Sequence, residues 1–217
     1  MPTADRHEFV PGALTYFLNQ DYKNKELIII DDGTRTIRDL VPQVPHIKYF
    51  YLEKRYTVGA KRNIACREAS GEIIIHWDDD DWMAPLWISS QVTHLLNTNA
   101  DITGLDRPYF YCPILGKAWQ YIYPVHEKPW VHGGTLCYTK AIWQNNPFPD
   151  MNIAEDSEFL WSYCPKRIIP HRNFDLYIAR IHRSNASPKY TWDDRWKVMG
   201  IEKISQIMKE NFYSHEK

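Results

Sequence analysis

Four consecutive carboxylates, Asp78-Asp79-Asp80-Asp81, stand between His76-Trp77 and Trp82. Such a run is mutually repulsive, and a fold has little structural use for it. It follows Glu72-Ile73-Ile74-Ile75, a short apolar stretch rich in β-branched residues that reads as a buried strand. Acids clustered at the C-terminal end of a strand are how an α/β sheet presents oxygen ligands to a hard divalent cation. Mg²⁺ or Mn²⁺ held by one or two carboxylates keeps positions open for substrate phosphates. The plainer alternative is a solvated acidic turn, and the tryptophans on both sides argue against it. An EF-hand is excluded, because Met83 stands where that loop needs its turn glycine.

Other reactive or permissive residues fall in expected loops. Asp31-Asp32-Gly33-Thr34 follows an apolar strand at 27–30; a tight Asp-Gly turn would explain the pair equally simply. Glu155-Asp156 opens a short helix at 155–163, where two acids also complement the helix dipole. Gly133-Gly134-Thr135 lets backbone pass close to a ligand or merely makes a turn.

The elements that must carry these points alternate. Helices are expected over 7–20, with Pro11 in the first turn, over 59–69, and from Pro85 onward through Leu96. Strands at 27–30 and 73–76 lie between them, which implies a mostly parallel sheet covered on both faces. The second half is less regular: a hairpin at 109–123 around Leu115-Gly116-Lys117, the helix at 155–163, and a C-terminal helix at 194–209. One domain over 1–217 is expected, divided at about residue 100 and about residue 190, with the C-terminal helix in 191–217.

Composition narrows the class. The 217 residues are 44% hydrophobic and 24% charged, ordinary for a soluble globular chain, with a formal net charge of −1 and no long basic block. Nucleic acid is therefore disfavoured as a partner. Aromatics reach 14%, which suits a cleft lined by flat side chains. Cys66, Cys112, Cys137 and Cys164 form no Cys-x-x-Cys pair, so a zinc site is not expected. No secretory signal or membrane-spanning run is visible, so a cytoplasmic location is expected, or a peripheral one at the inner face of a membrane.

Taken together, Pro2-Thr3-Ala4-Asp5-Arg6, Asp31 to Thr34, Gly59-Ala60-Lys61-Arg62-Asn63, the acidic run, Gly133-Gly134 and Glu155-Asp156 resemble the inverting family 2 glycosyltransferases of the GT-A fold, over about residues 1–188. The resemblance implies a three-layer αβα sandwich and transfer from a nucleoside diphosphate sugar, such as a UDP-sugar, to a glycan, lipid-linked or protein acceptor. It places Pro2, Thr3 and Asp5 in the nucleotide loop, although Ala4 replaces the usual aromatic residue. Asp32 would accept a hydrogen bond from the uracil imide, which suits a group that only accepts. Arg62 would meet base or phosphates, with Lys61 as a solvated surface charge. Asp78-Asp79-Asp80 resembles the Asp-x-Asp motif. Strand alternation would turn Asp78 and Asp80 to one side, Asp80 as metal ligand and Asp78 on ribose or metal, with Asp81 the next candidate. Asp156 would be the general base with Glu155 beside it, Gly133 and Gly134 would border the donor sugar or acceptor, and His182 would ligate the metal or touch the diphosphate. The loop at 183–189 would close over the donor. Asp193-Asp194-Arg195-Trp196 keeps only the end of the Gln-x-x-Arg-Trp signature of processive members, so single-sugar transfer is expected. The apolar strand that normally precedes the Pro-Thr loop is not visible. Two other functions remain: a non-catalytic nucleotide- or glycan-binding relic, and a sugar-phosphate nucleotidyltransferase, which should carry an early Gly-rich loop that this chain lacks.

Overall fold

The structure is a computed structural model that describes residues 1–162 and 167–213. Cys164 and Tyr163, the expected end of the helix at 155–163, lie outside the described residues.

The nucleotide loop does not merely precede the sheet. Pro2–Thr3 forms a short strand (β1) parallel to β2 (Leu27–Asp31), with Pro2 opposite Ile30 and Thr3 opposite Asp31. The Pro-Thr loop itself thus supplies a two-residue strand beside β2. Helix α1 (Val10–Leu18) lies between them and buries Val10, Ala13, Leu14 and Phe17. It starts three residues later than expected, because Arg6 to Phe9 form a turn closed by the Phe9 N–H on the Arg6 carbonyl, 3.0 Å. Strand β3 (Ile47–Tyr51) extends the parallel sheet on the other side of β2.

Helix α2 (Val58–Glu68) is capped by Thr57, whose Oγ1 accepts the Ala60 N–H at 3.1 Å. It leads to β4 (Ile73–Ile75); His76 and Trp77 have already left the strand, so the acidic run lies in a loop. After β5 (Trp82–Met83), α3 (Trp87–Thr98) buries Trp87, Ile88, Gln91, Val92 and Leu95, and ends at Asn99 in the left-handed conformation.

The second half builds mixed sheets. Strands β6 (Ile102–Gly104), β9 (Cys137–Thr139), β4 and, in a later stretch, β10 (Ile168–Pro170) order as β10-β6-β9-β4. The expected hairpin is present as β7 (Tyr109–Cys112) and β8 (Lys117–Tyr121), turning at Gly116 with φ +57°. With β11 (Tyr177–Arg180) and β12 (Trp196–Met199) they order as β12-β8-β7-β11-β5. Parallel pairing is complete in β1-β2-β3 and recurs in β6-β10 and β7-β11, while the other pairs are antiparallel, so the expectation of a mostly parallel sheet is met in part. Helices α4 (Lys140–Asn145) and α5 (Glu155–Trp161) lie in this half.

The C-terminal helix begins later than expected. Trp196–Met199 instead pairs antiparallel with β8, with Trp196 in an aromatic cluster with Phe110 and Tyr121 and Val198 80% exposed. Gly200 separates it from α6 (Ile201–Tyr213).

The main core gathers α1, β2, α3 and the β5-β11-β7 region around Phe17, Ile29, Trp77, Trp87 and Tyr177. A smaller core under α5 holds Tyr138, Phe148 and Phe159, the last two stacked at 4.2 Å. An apolar cavity of about 650 Å³ separates β2 from β4; Leu27, Ile28 and Ile73 to Ile75 line it. No helix among the described residues is long and apolar enough to cross a membrane.

Candidate functional site

The C-terminal ends of β1, β2 and β4 open onto one polar cavity of about 900 Å³. All of the expected site residues line it except His182, which sits directly behind Asp80. The four aspartates do different work there. Asp78, a quarter exposed, accepts from Arg62 at 3.4 Å. Asp79 is buried and accepts from Thr3 Oγ1 at 2.6 Å. Asp80 accepts from Arg6 at 2.6 Å and lies 2.8 Å from His182 Nε2. Asp81 is buried under the loop, where Tyr177 Oη and the Arg180 N–H, 2.8 Å, hold it.

The expected alternation is therefore not kept. Asp79 and Asp80 both meet Arg6, because the chain has left the strand and period two no longer applies. Burial alone would raise all the inner carboxylates. Asp80 is nevertheless held below its ordinary range by the His182 hydrogen bond and the Arg6 charge. Asp79 and Asp81 are pushed up by burial and by the Asp80 charge beside them.

One corner of the cavity lies at the end of β2. Asp31 is structural: its carboxylate caps the loop through the N–H groups of Gly33, 2.9 Å, and Ile37, 3.1 Å, and through Tyr49 Oη, 2.6 Å. Asp32 instead faces the cavity and accepts from the Tyr56 N–H at 2.7 Å and from Lys61 Nζ at 2.7 Å. Lys61 is buried, not a solvated surface charge. Asp5, at φ +55°, ties the nucleotide loop to its neighbour through Thr34 Oγ1, 2.8 Å, the Arg35 N–H, 3.1 Å, and Arg55. These bonds hold its carboxyl at about 2 although burial works the other way.

Arg62 is buried and its guanidinium is committed to carboxylates. Nε donates to Glu155 at 3.2 Å while the terminal nitrogens reach Asp78. It thus joins the acidic run to the start of α5 while lining the cavity. Glu155 is raised by burial, against the pull of Arg62. Asp156, the next residue, lines the cavity and keeps one oxygen on the Ser157 N–H, 2.7 Å. The two glycines serve close approach: a Cβ on Gly133 would lie 1.9 Å from Asp156 Oδ2, and one on Gly134 2.8 Å from Asp78 Oδ2.

The cavity's far wall is aromatic, with Phe110, Trp130 and His132. Burial lowers His132 to about 3, so it is neutral. The loop after β11 contributes Ser184, Asn185, Ser187 and Lys189, and Arg6 Nη2 donates to the Ser184 carbonyl at 2.6 Å. Lys61, Arg6, Trp130 and His132 were not singled out from the sequence as site residues. Lys61 had a readable signal: a cation in the first turn of a helix opposes the dipole and needs a reason to be there. The others carry none that spacing alone reveals.

The donor chemistry fits a hard or borderline cation. Asp80 supplies carboxylate oxygen and His182 a ring nitrogen, while no group of three or more His, Cys, Asp or Glu residues converges among the described residues. Two protein ligands with the remainder from phosphate oxygens is an arrangement that Mg²⁺ and Mn²⁺ accept.

Similarity agrees with this layout. The structure of S. aureus TarS 1–349 in complex with UDP-GlcNAc superposes with a TM-score of 0.68 at 17% identity, over 97% of this chain and 63% of that one. The mannosyltransferase PcManGT from Pyrobaculum calidifontis, in complex with GDP-Man and Mn²⁺, gives 0.67 at 16% identity, over 85% and 56%. The fold is thus the GT-A α/β fold of glycosyltransferases. Residues 1–157 match the family model for glycosyl transferase family 2. A putative colanic acid biosynthesis glycosyl transferase, WcaA of Escherichia coli K12, is 35% identical over 224 residues, 97% of this chain and 71% of its own length. An uncharacterized glycosyltransferase of Haemophilus influenzae is 28% identical over 122 residues, 54% of this chain, which spans about half (48%) of that relative. The chain belongs to glycosyl transferase family 2.

Proposed function

We propose that this chain moves a single sugar from a nucleoside diphosphate sugar to an acceptor hydroxyl, with inversion at the anomeric carbon. The observation that carries the reading is that Asp32, Asp80 and Asp156 line one cavity; the reading assigns them to base, diphosphate and acceptor in that order. About residues 1–100 then bind the donor and about 101–190 the acceptor, as parts of one transferase unit. TarS and PcManGT were each solved with a nucleotide sugar, which supports the same cavity as the donor site.

Asp156 is the base. It takes the proton of the acceptor hydroxyl as that oxygen bonds to C1 and the C1–phosphate oxygen bond breaks, releasing the nucleoside diphosphate. Glu155 is committed to Arg62 and orients rather than reacts. Asp80 and His182 would hold Mn²⁺ or Mg²⁺, which when bound neutralises charge developing on the leaving diphosphate. Asp81 supports the loop from beneath and is left out of that ligand set, since Tyr177 and Arg180 occupy its oxygens. Trp130 and Phe110 give the acceptor a flat apolar wall. The acceptor itself is a glycan, a lipid-linked sugar or a protein.

A thermal-shift panel of UDP, GDP and TDP with Mn²⁺ tests the donor half of this reading, because a ligand that binds only the folded chain raises its melting temperature. At least one should stabilise it. No shift from any of the three would sink the proposal.

A further inference from the structure

Lys61 is costly where it stands. It occupies the first turn of α2, where the helix dipole opposes a cation, and its side chain is only 7% exposed. Two of its three N–H groups are used: Nζ donates to Asp32 Oδ1 at 2.7 Å and to the Thr3 carbonyl at 3.0 Å. These two bonds fix the ammonium beside Asp32, on the wall of the cavity that both residues line. A carboxylate that only accepts and an ammonium that only donates therefore stand side by side, held from behind by β1 and by the Tyr56 N–H.

We propose that Lys61 is a specificity-determining residue: with Asp32 it reads a base edge in which a ring N–H adjoins a carbonyl, as in uracil or guanine. The third Lys61 N–H donates to that carbonyl while Asp32 accepts the ring N–H. With ribose and diphosphate anchored by the rest of the cavity, cytosine brings an amino group to Lys61 and a ring lone pair to Asp32, and both are mismatched. The inference rests on the nucleotide-sugar reading above and adds to it a residue and a selection rule.

Calorimetric titration with UDP, GDP and CDP, each with Mn²⁺, tests it on the wild type and on Lys61→Met. The wild type should bind UDP or GDP at least about tenfold tighter than CDP, and the better of the two names the base. Lys61→Met should shrink that preference by about tenfold, the worth of one hydrogen bond to a charged donor. If the variant weakens all three ligands by the same factor, Lys61 only neutralises Asp32 and the proposal falls while the donor reading stands. If the wild type binds none of them, the donor reading itself falls and takes this one with it. Should Lys61→Met fail to fold, the 4-thio analogue of UDP, or the 6-thio analogue of GDP, makes the same test on the wild type. Sulfur is a poor acceptor, so the thio analogue should bind several-fold more weakly than its parent, and equal binding overturns the assignment.

Discussion

The two sides of the cavity are built on opposite principles. On the side of β1, β2 and β4, nearly every polar group is an ion already paired to another: Arg6 with Asp80, Lys61 with Asp32, Arg62 with Asp78. On the side of β7 and the glycine turn, the wall is Phe110, Trp130 and the neutral His132. The first arrangement suits a ligand with fixed charge and a fixed hydrogen-bond pattern, because buried ions are tolerable only when their partners are set in advance. The second suits a ligand with an apolar face and few charges. On the proposed reading, donor recognition would be rigid and electrostatic, acceptor recognition would rest on shape, and Asp156 would serve the acceptor as base.

The sharpest way to break that contrast is Asp156→Asn. Turnover should fall by about 10²–10⁴-fold, the usual worth of a general base, while affinity for the donor is unchanged. Parallel losses of turnover and donor affinity, measured with a nucleotide sugar and a working acceptor, would move Asp156 to the donor side and leave Glu155 as the candidate base. Next in size is Asp80→Ala. It should erase the increment that Mn²⁺ adds to nucleoside diphosphate binding and leave the circular dichroism spectrum as it is. A variant with unchanged Mn²⁺ dependence would remove Asp80 from the ligand set.

Asp32→Asn should weaken nucleotide binding by about 1–3 kcal/mol, since the amide leaves a buried partner unsatisfied. Unchanged affinity would reduce the pair Asp31-Asp32 to a turn. The smallest effect concerns stability where His171 packs on α3. His171 is buried against Trp87 and Ser90 and lowered to about 4 by burial and by the nearby His94. A histidine whose folded pKa is depressed contributes stability that is complete above its unfolded value near 6.5 and is lost as the pH falls toward 4. His171 alone should cost about 1 kcal/mol between pH 7 and 5.5, a few degrees in melting temperature. His171→Gln should flatten that slope in a melting series; an identical slope would place the acid sensitivity elsewhere.

Much of this was legible because it depends on local chemistry. Acids after a β-branched run and Gly116 in a hairpin each carry their reason in a few neighbouring residues. What was not legible depends on partners far along the chain. Arg62 is committed by Glu155, 93 residues away, and Lys61 by Asp32, 29 away; spacing in a helix says nothing of either. Trp196 and Met199 continue the helical spacing of the apolar residues at 204–208, and only the pairing with β8 decides for the strand. The facing of Asp78 to Asp81 was hidden for a different reason: the strand stops at Ile75, one residue short of the expected His76, and period two says nothing beyond a strand's end.

The gap between β2 and β4 has a consequence best seen in amide exchange. The His76 N–H reaches the Leu136 carbonyl at 2.8 Å and the Lys140 N–H reaches the Glu72 carbonyl at 2.7 Å. Residues 72, 74 and 76 therefore turn their backbone groups toward β9, and Ile73 and Ile75 turn theirs toward the cavity. Three consecutive isoleucines in one strand should then differ in deuterium uptake by their parity: Ile74 slow, Ile73 and Ile75 fast.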